Sequence, residues 1–595
     1  MSGRLSRSGT GLGDFAPGPS DLPPPFEVLV PGEFGGKARG LIHTGMMLRD
    51  GRPLAGEHTA LLRIPPSALL STDLFDEVVA AAGLGDLLRR GPPEGDEKAV
   101  YDAFLRARLP KRAREVLREW LGRNRVPLAV RSSSLQEDNR LYSFSGIYRT
   151  HFVANAGPLD RRLAAVERAI LVVLGSTFLP RAYAYRARHG IRPDDEKMAV
   201  LLQHVVGRRR GDLFHPLLAG VGFSRNMYPW TDRISVEDGV VRLVYGLGTR
   251  AVDRDYARVF VPSRPRLRPE GFSVDAIEQY AQTRFDAVAF DGTDFRSGIP
   301  VSAAVPREGN DLHVVSSLVR EGEFLRAPRF PLGPDDRFVV TFDEMIAGRT
   351  AFPLVPVVRA LFGSLSEALG TPVDVEFAAS AGPGEEDGVP RLFHVLQVRP
   401  LGVRAANRSV AVDPGRHRVL LRARRVMGNG ERTGIRRAVL VLADEYRRTR
   451  PDRAVREILR LNRALEGVPY LLVGPGRWGS SNPALGVPVG YESVAGCAAI
   501  VEVAAGSMAP EFSYGTHFFG ELLSSELFYL AVVPAEGDFL DEEEFLRHAG
   551  PARDGVRLVE FPEPVTLQVD GAGRRGVAFV TGEVTETPAA PPPPG

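Results

Sequence analysis

The sequence has few of the features that mark a secreted, membrane or nucleic-acid-binding protein. Cys497 is its single cysteine, so no internal disulfide can form, which fits a reducing compartment. It has no apolar run of the length that spans a membrane, and its N-terminus lacks the apolar core of a signal peptide. The net charge of +2, from 75 basic and 73 acidic residues, offers nucleic acid or an anionic membrane no electrostatic attraction. We therefore expect a cytoplasmic protein without nucleic acid or membrane among its partners.

Lysine is also scarce, since only Lys37, Lys98, Lys111 and Lys197 occur among the 75 basic residues. Composition has evidently favoured arginine wherever either residue would serve. A remaining lysine is then expected where its compact ammonium is needed, for example as a point charge on phosphate. Lys37 is the first candidate. Lys197, beside MAVLLQ, is either a phosphate lysine or an exposed residue at a strand start, and we favour the second interpretation.

The length of 595 residues allows about three to four domains, and 44% hydrophobic residues can form real cores. Residues 1–25 and the tail 586–595 are rich in Gly, Ser or Pro and are predicted to be disordered. Between them we predict a nucleotide-binding domain over 26–402 and a smaller α/β domain over 403–585.

Residues 371–401 carry the most informative pattern. They predict two strands, 373–377 and 392–398, joined by a polar Gly/Pro/Glu turn that pairs them antiparallel. Because strand side chains alternate between faces, Asp374 and Glu376 share one side of the first strand.

Gln397 and Arg399 likewise share one side of the second strand, so two acids, an amide and a guanidinium can converge. Such a set suits a polyphosphate, because Mg²⁺ prefers carboxylates completed by phosphates and an arginine stabilises a transferring phosphoryl group. The alternative is a surface hairpin with solvated charges.

Two upstream segments point to the same chemistry. PGEFGGKARGLIHTGMML predicts a glycine turn opening a helix, where backbone N–H groups and Lys37 form an anion site, unless it is a plain turn. The apolar strand 126–130 runs into Arg131 and three serines, followed by Glu137 and Asp138. Arginine and hydroxyls at the end of a buried strand suit phosphate.

AVRSSSLQED followed by SFSGIYRT resembles a segment of the N-terminal nucleotide-binding domain of phosphoenolpyruvate synthase and pyruvate phosphate dikinase. Gly35–Ala38 resembles that family's Gly-Gly-Lys motif, and FHVLQVRPL its Leu-Gln-x-Arg-Pro motif, in the same order and with similar wide spacing. STFLPRAYAYRARHG, MAVLLQHVVG and GVGFSRN resemble further stretches between them. The resemblance covers roughly residues 30 to 402.

The resemblance implies an ATP-grasp fold, of α+β or α/β class, in which ATP lies between two lobes. It implies Mg²⁺ as the second cofactor. By this resemblance Lys37, Arg131 and Ser224 contact the phosphates, and Gln203, His204 and Val205 surround adenine. Glu376 and Gln397 bind Mg²⁺, Asp374 supports Glu376 or the metal, and Arg399 contacts the transferring phosphoryl group. The catalytic set is Arg399, Glu376 and Gln397.

The chain also departs from the family. Thr249, in YGLGTRAVDRD, stands where the family has a glutamate, so either Asp253 or Asp255 substitutes or a metal or ribose contact is lost. The family's phosphohistidine motif and pyruvate-binding barrel have no counterpart after Arg399, and about 190 remaining residues cannot form a barrel of about 250.

The C-terminal part reads as a separate α/β unit with one clear helix, DRAVREILRLNRALEG. Its predicted strands are 419–421, 438–442, 470–473, 498–503, 528–533 and 556–561. GPGRWGSS after the third strand is either an anion-binding turn or a rigid structural loop. His517 is either a phosphoryl carrier or a buried histidine, and we favour the second for its aromatic neighbours. Cys497 is expected to be a packing residue.

Two functions remain open. The first is an ATP- and Mg²⁺-dependent phosphotransferase whose acceptor is a partner protein, the C-terminal domain or a small molecule. The family cleaves ATP to AMP, which would make this a kinase of the dikinase type. The second is a nucleotide-binding regulatory or scaffold protein without turnover, which Thr249 favours and the intact Glu376, Gln397 and Arg399 oppose.

Overall fold

The computed structural model describes most of the chain as two compact units, residues 22–401 and residues 413–580, with gaps. The described ranges are 22–86, 97–137, 147–188, 190–226, 229–231, 233–252, 256–304, 309–326, 336–381, 390–401, 413–414, 417–480, 482–490, 493–506, 508–510, 522, 527–571 and 573–580. Most of the N-terminal segment and all of the tail predicted to be disordered lie outside these ranges.

The first unit contains eighteen strands within the described ranges. They are β1 Phe26–Val30, β2 Leu62–Arg63, β3 Ser67–Leu70, β4 Leu128–Ser134, β5 Thr150–Val153, β6 Met198–His204, β7 Arg208–Arg210, β8 Leu213–His215, β9 Leu218–Phe223, β10 Val240–Val244, β11 Arg258–Phe260, β12 Arg284–Ala289, β13 Asp294–Pro300, β14 Ser316–Arg320, β15 Glu323–Arg326, β16 Arg337–Val340, β17 Val373–Ser380 and β18 Leu392–Pro400.

The α-helices of the same unit include, as α1, the helix that the sequence predicts after the Gly-Gly-Lys turn. They are α1 Gly36–Arg49, α2 Thr72–Ala81, α3 Glu97–Arg106, α4 Lys111–Arg123, α5 Leu159–Gly175, α6 Pro180–Arg188, α7 Thr249–Val252, α8 Val274–Gln279, α9 Asp343–Ile346 and α10 Leu354–Leu369.

Two sheets of the first unit carry the predicted site residues. One has the order β1-β3-β6-β4-β5, and the other the order β11-β10-β9-β17-β18-β2. Two smaller sheets have the orders β13-β12-β8-β7 and β15-β14-β16. The mixed α/β class predicted from the sequence is therefore confirmed.

The predicted antiparallel hairpin is also confirmed as β17 and β18. Asp374 is paired with Arg399 and Glu376 with Gln397, and the register shifts directly after Glu376. Strand β4 differs from its prediction, because it begins at Leu128 and runs through the serines, which pair with β6 and are buried. Arg131 consequently lies inside a central strand and not at its end.

Helix α10 shows how the core positions the hairpin. Its apolar residues recur every three or four positions, so one face packs into the core against β17, and Gly370 ends the helix with φ of 62°. Phe362 on this face contacts Gly222 of β9 so closely that a Cβ there would lie 2.5 Å from the ring. Gly222 thus allows the helix to pack on β9, the strand that pairs with β17.

The second unit is built on one nine-stranded sheet. Its elements are β19 Arg418–Ala423, β20 Arg425–Met427, β21 Asn429–Val441, β22 Tyr470–Pro475, β23 Ala499–Val503, β24 Phe528–Val532, β25 Phe539–Leu540, β26 Val556–Asp570 and β27 Arg575–Val580, with helices α11 Ala443–Arg447, α12 Pro451–Ala464 and α13 Glu542–Arg547. The order is β20-β24-β23-β22-β21-β26-β27-β19-β25, in which β21 to β24 run parallel.

The six predicted strands and the predicted helix of this unit are confirmed. Cys497 is buried just before β23, as a packing residue would be. The loop after β22 folds tightly on itself, with Gly476 bridged to Gly486 and Arg477 buried. That this unit is a separate domain stays a prediction. In the described parts of the chain, every helix is too short or too polar to cross a bilayer.

Candidate nucleotide site

A cavity of about 290 Å³ opens in the first unit and is lined by residues from both larger sheets. Its apolar walls include Ala129, Phe152, Val205, Val206 and Leu247, several of which belong to one hydrophobic cluster. Its charged and polar lining includes Lys37, Arg131, Gln203, His204, Glu376 and Gln397. Seven of the ten residues predicted from the sequence are thus brought together here.

Arg131 connects the two sheets across this cavity. Its Nη2 donates to Glu376 Oε2 at 2.6 Å and to Gln397 Oε1 at 2.7 Å. Its Nη1 donates to Gln203 Oε1 at 3.1 Å and to the Leu396 carbonyl at 2.9 Å. A planar guanidinium suits this task, because its donors lie in a fixed fork that reaches several acceptors at once.

Lys37 lies in the first turn of α1 and forms an ion pair with Glu137, which is 1% exposed. The Lys37 ammonium also donates to Ser132 Oγ at 3.1 Å, and Glu137 accepts from the Ser134 N–H at 3.1 Å. Helix α1 is held to β4 by a further bond, from the Ala38 N–H to Ser133 Oγ at 3.1 Å. The Gly-Gly-Lys turn and the serine strand therefore form one local assembly at the cavity.

We expect Lys37→Met to lower both stability and nucleotide affinity, for different reasons. Loss of the ammonium leaves the buried Glu137 carboxylate without its lysine, which costs about 3–5 kcal/mol of unfolding free energy. Adding Glu137→Gln removes that charge and should restore most of the stability without restoring ATP affinity. Denaturant unfolding and calorimetric titration with ATP measure the two effects.

Lys111→Met is the matched control, because Lys111 is exposed and 3.9 Å from Glu115. It should change stability by less than about 1 kcal/mol. Recovery of ATP affinity in the Lys37→Met, Glu137→Gln double variant would show that Lys37 acts only through its ion pair.

The residues predicted to border adenine stand at the end of β6. Gln203 Nε2 donates to the Leu396 carbonyl at 3.2 Å, while His204 Nε2 lies 3.1 Å from Asn124 Oδ1. Burial lowers the pKa of His204, so its imidazole is neutral near pH 7. With Val205 beside them, they offer an apolar wall edged by neutral polar groups.

Three predicted residues are placed outside the cavity lining. Asp374 and Arg399 are both buried and form an ion pair with each other. Ser224 follows β9, and its Oγ accepts a hydrogen bond from the Val373 N–H at 2.8 Å. This bond connects the end of β9 to the start of β17. Lys197 pairs with Asp76 at 2.5 Å on the surface, in agreement with the exposed interpretation.

A buried polar group behind the cavity was not predicted. Tyr148 lines the cavity, and its hydroxyl donates to Glu196 Oε1 at 3.0 Å and accepts from Arg186 Nη1 at 3.4 Å. Burial raises the pKa of Glu196 from 4.5 to about 7, although Ser134, Arg186 and Tyr148 counteract that rise. In the sequence Glu196 is a single acid next to Lys197, and no pattern around it indicates a hydrogen bond to a tyrosine 48 residues away.

This raised pKa predicts a pH-dependent stability. Between pH 4.5 and 7 the folded protein keeps a proton on Glu196 that the unfolded chain releases, so unfolding free energy falls as pH rises, by up to about 3 kcal/mol. Glu196→Gln should remove this part of the slope. Denaturant titrations at pH 4.5 to 8 measure it, with Glu119→Gln on the exposed face of α4 as control. Equal slopes in wild type and Glu196→Gln would contradict the assignment.

A second unpredicted acid lies beside Thr249, at the position where the sequence departs from the family. Thr249 lines the cavity, and its hydroxyl donates to Asp286 Oδ2 at 2.7 Å. Asp286 is 4% exposed and also accepts from Arg250 Nε at 2.8 Å. Asp253 and Asp255, the substitutes considered from the sequence, lie outside the described residues, as do Asp138 and His517.

The metal prediction can be tested against the oxygen donors. Within the described ranges, no three His, Cys, Asp or Glu side chains gather into a ready-made metal site. Glu376 and Gln397 nevertheless present oxygens that converge within 2.7 Å of one Arg131 nitrogen. A carboxylate and an amide oxygen completed by phosphates fit Mg²⁺, which seldom has an all-protein cage. Asp374, engaged with Arg399, fits as a support and not as a direct ligand.

The sequence is similar to those of several known proteins. A rifampicin phosphotransferase from Streptomyces sviceus is 31% identical over 157 residues, which are 24% of this chain and 17% of that protein. The prodigiosin synthesizing transferase PigC of Serratia marcescens is 28% identical over 180 residues, 30% of this chain and 18% of that protein. The chain thus spans less than a fifth of the length of these curated relatives in each match. Residues 32–416 match the family described as the pyruvate phosphate dikinase AMP/ATP-binding domain, and the chain belongs to that family.

Proposed function

We propose that this protein is an ATP- and Mg²⁺-dependent phosphotransferase. The observation that carries the proposal is the convergence of Arg131, Glu376 and Gln397 in a cavity that also has apolar walls. An apolar pocket with a few convergent polar groups suits a nucleotide, whose base is apolar on both faces and whose phosphates need charge. Family membership and the phosphotransferase and transferase names of the relatives support the same reaction class.

In this proposal each cavity residue has a distinct task. Val205 and its neighbours hold adenine, and Gln203 and His204 border it. Lys37 and Arg131 bind phosphates, and Arg131, as the guanidinium that faces the cavity, stabilises charge developing on the transferring group. Arg399 remains a further candidate for that task.

Glu376 and Gln397 would hold Mg²⁺ together with the phosphates. When bound, the ion neutralises phosphate charge and orients the phosphoryl group for transfer. Arg131 already brings the two oxygens together, and its Nη2 would have to release them to the ion. Most of the rate enhancement would then come from positioning and electrostatics.

The test is product analysis. Purified full-length protein is incubated with ATP and MgCl₂, and AMP, ADP and phosphate are separated over time. AMP produced by wild type and not by Glu376→Gln would support dikinase-type cleavage, and mass spectrometry would then locate any phosphohistidine, including at His517. ADP in place of AMP would support a simple kinase or ATPase reaction.

Glu278→Gln is the matched control, because Glu278 forms an ion pair with Arg337 away from the cavity. Its product yield should equal that of wild type. Equal yields from wild type and Glu376→Gln would contradict the site.

A second function is favoured by one observation. Thr249 replaces the family's glutamate at the cavity, so a nucleotide-binding regulatory or scaffold protein without turnover is the alternative. Calorimetric ATP binding without any product, also in the presence of candidate acceptors, would support it. In the phosphotransferase proposal the acceptor is a partner protein, the C-terminal domain or a small molecule.

A further inference from the structure

The hydroxyl of Thr249 is held in one orientation by a fixed acceptor. Asp286 of β12 accepts four hydrogen bonds: from Thr249 Oγ1 at 2.7 Å, Arg250 Nε at 2.8 Å, Ser297 Oγ at 2.9 Å and the Gly298 N–H at 2.8 Å. Asp286 is 4% exposed and is the acceptor in each of these bonds, two of which come from groups that can only donate, a guanidinium and a backbone N–H. Thr249 must therefore donate its single proton to Asp286.

The hydrogen bond to Asp286 determines which further hydrogen bonds Thr249 can form with a ligand in the cavity. A hydroxyl has one proton and two lone pairs, so once the proton is used only its acceptor capacity remains. Thr249 therefore favours a hydrogen-bond donor on the ligand. It disfavours a phosphate oxygen, which is only an acceptor.

We infer that Thr249, oriented by Asp286, is a specificity-determining residue that accepts a hydrogen bond from a sugar hydroxyl of the nucleotide. The inference rests on the proposed function, because it takes the ligand to be ATP. Thr249 and Leu247 are two residues apart and both line the cavity, and Leu247 belongs to the apolar wall proposed for the base. Of the donors on ATP, the ribose hydroxyls lie between the base and the phosphates. Asp286 acts through Thr249 and is a positioning residue.

The experiment compares four ligands by calorimetry: ATP, 2′-deoxyATP, 3′-deoxyATP and purine riboside triphosphate, which lacks the exocyclic amino group. A neutral hydrogen bond predicts that wild type binds at least one deoxy ligand roughly threefold to tenfold more weakly than ATP. Thr249→Val should lose this preference, and Thr249→Ser, which keeps the hydroxyl, should retain it. The ratio of affinities is a readout that general destabilisation would not change.

Thr341→Val is the control, because Thr341 Oγ1 bonds Ser317 Oγ at 2.8 Å and does not line the cavity. It should keep the wild-type preference. A deoxy preference that persists in Thr249→Val overturns the inference while leaving ATP binding intact. A Thr249-dependent loss seen only with purine riboside triphosphate also overturns it and assigns Thr249 to the base. Failure of wild type to bind ATP at all overturns the proposed function and this inference together.

Discussion

Arg131→Ala should weaken ATP binding by at least about 100-fold, the largest effect expected from any single cavity residue. The guanidinium contacts four acceptors from two sheets, and two of these belong to Glu376 and Gln397. The Glu376 and Gln397 oxygens lose the group that positions them for the phosphates and the metal, and an effect the size of two hydrogen bonds of a charged donor, about 1.5–3 kcal/mol each, gives this range. The substitution also removes the cation that compensates Glu376. Calorimetric titration with ATP at constant ionic strength measures the effect.

Two further variants separate charge from geometry. Arg131→Lys keeps the charge but cannot reach the acceptors of both sheets with one ammonium, so its affinity should lie between those of wild type and Arg131→Ala. Arg337→Ala removes an equally well formed arginine–carboxylate pair, to Glu278 at 2.7 Å, from an exposed site. It should leave ATP affinity unchanged. An Arg131→Ala protein that binds ATP within threefold of wild type would exclude this cavity as the nucleotide site.

The hairpin shows what a strand pattern predicts well. Strand alternation placed Asp374 and Glu376 on one side and Gln397 and Arg399 on one side, and the observed register agrees. It did not predict that only Glu376 and Gln397 would reach the cavity. Two residues along a strand are about 6–7 Å apart, so the next pair lies beyond the cavity wall and is satisfied internally.

Contacts between distant segments could not be predicted from the sequence. Glu137 was noted as one of two acids near Arg131, but its partner, Lys37, is 100 residues earlier. Asp286 lies in a β-strand with no motif, and only folding brings its carboxylate to Thr249. The residues that line the cavity could be predicted because sequence motifs mark them. The residues that orient those side chains, such as Asp286, could not, because no motif marks their contacts.

Gly35→Ala should have a large effect on stability, although it adds only one methyl group. Gly35 is the residue before α1 and has φ of −82°, so backbone strain is not the cause. A Cβ at this position would lie 2.0 Å from the Ser133 carbonyl oxygen and 2.2 Å from that of Ser134. Backbone atoms of a central strand cannot move aside, so the start of α1 must separate from β4.

We expect Gly35→Ala to cost about 3 kcal/mol or more of unfolding free energy, at the upper end for overpacking. ATP affinity should fall with it, because the shift displaces Lys37 from Glu137 and Ser132. Scanning calorimetry and ATP titration on the full-length chain measure both.

Gly363→Ala provides the matched control for this close approach. Gly363 is exposed on α10 and has no heavy atom within 4 Å of the added methyl, so alanine should stabilise the helix by about 0.5–1 kcal/mol. The two substitutions are chemically identical and should have opposite signs. If Gly35→Ala unfolded within 1 kcal/mol of wild type, α1 would not rest on β4 as described, and the position of Lys37 at the cavity would lose its structural basis.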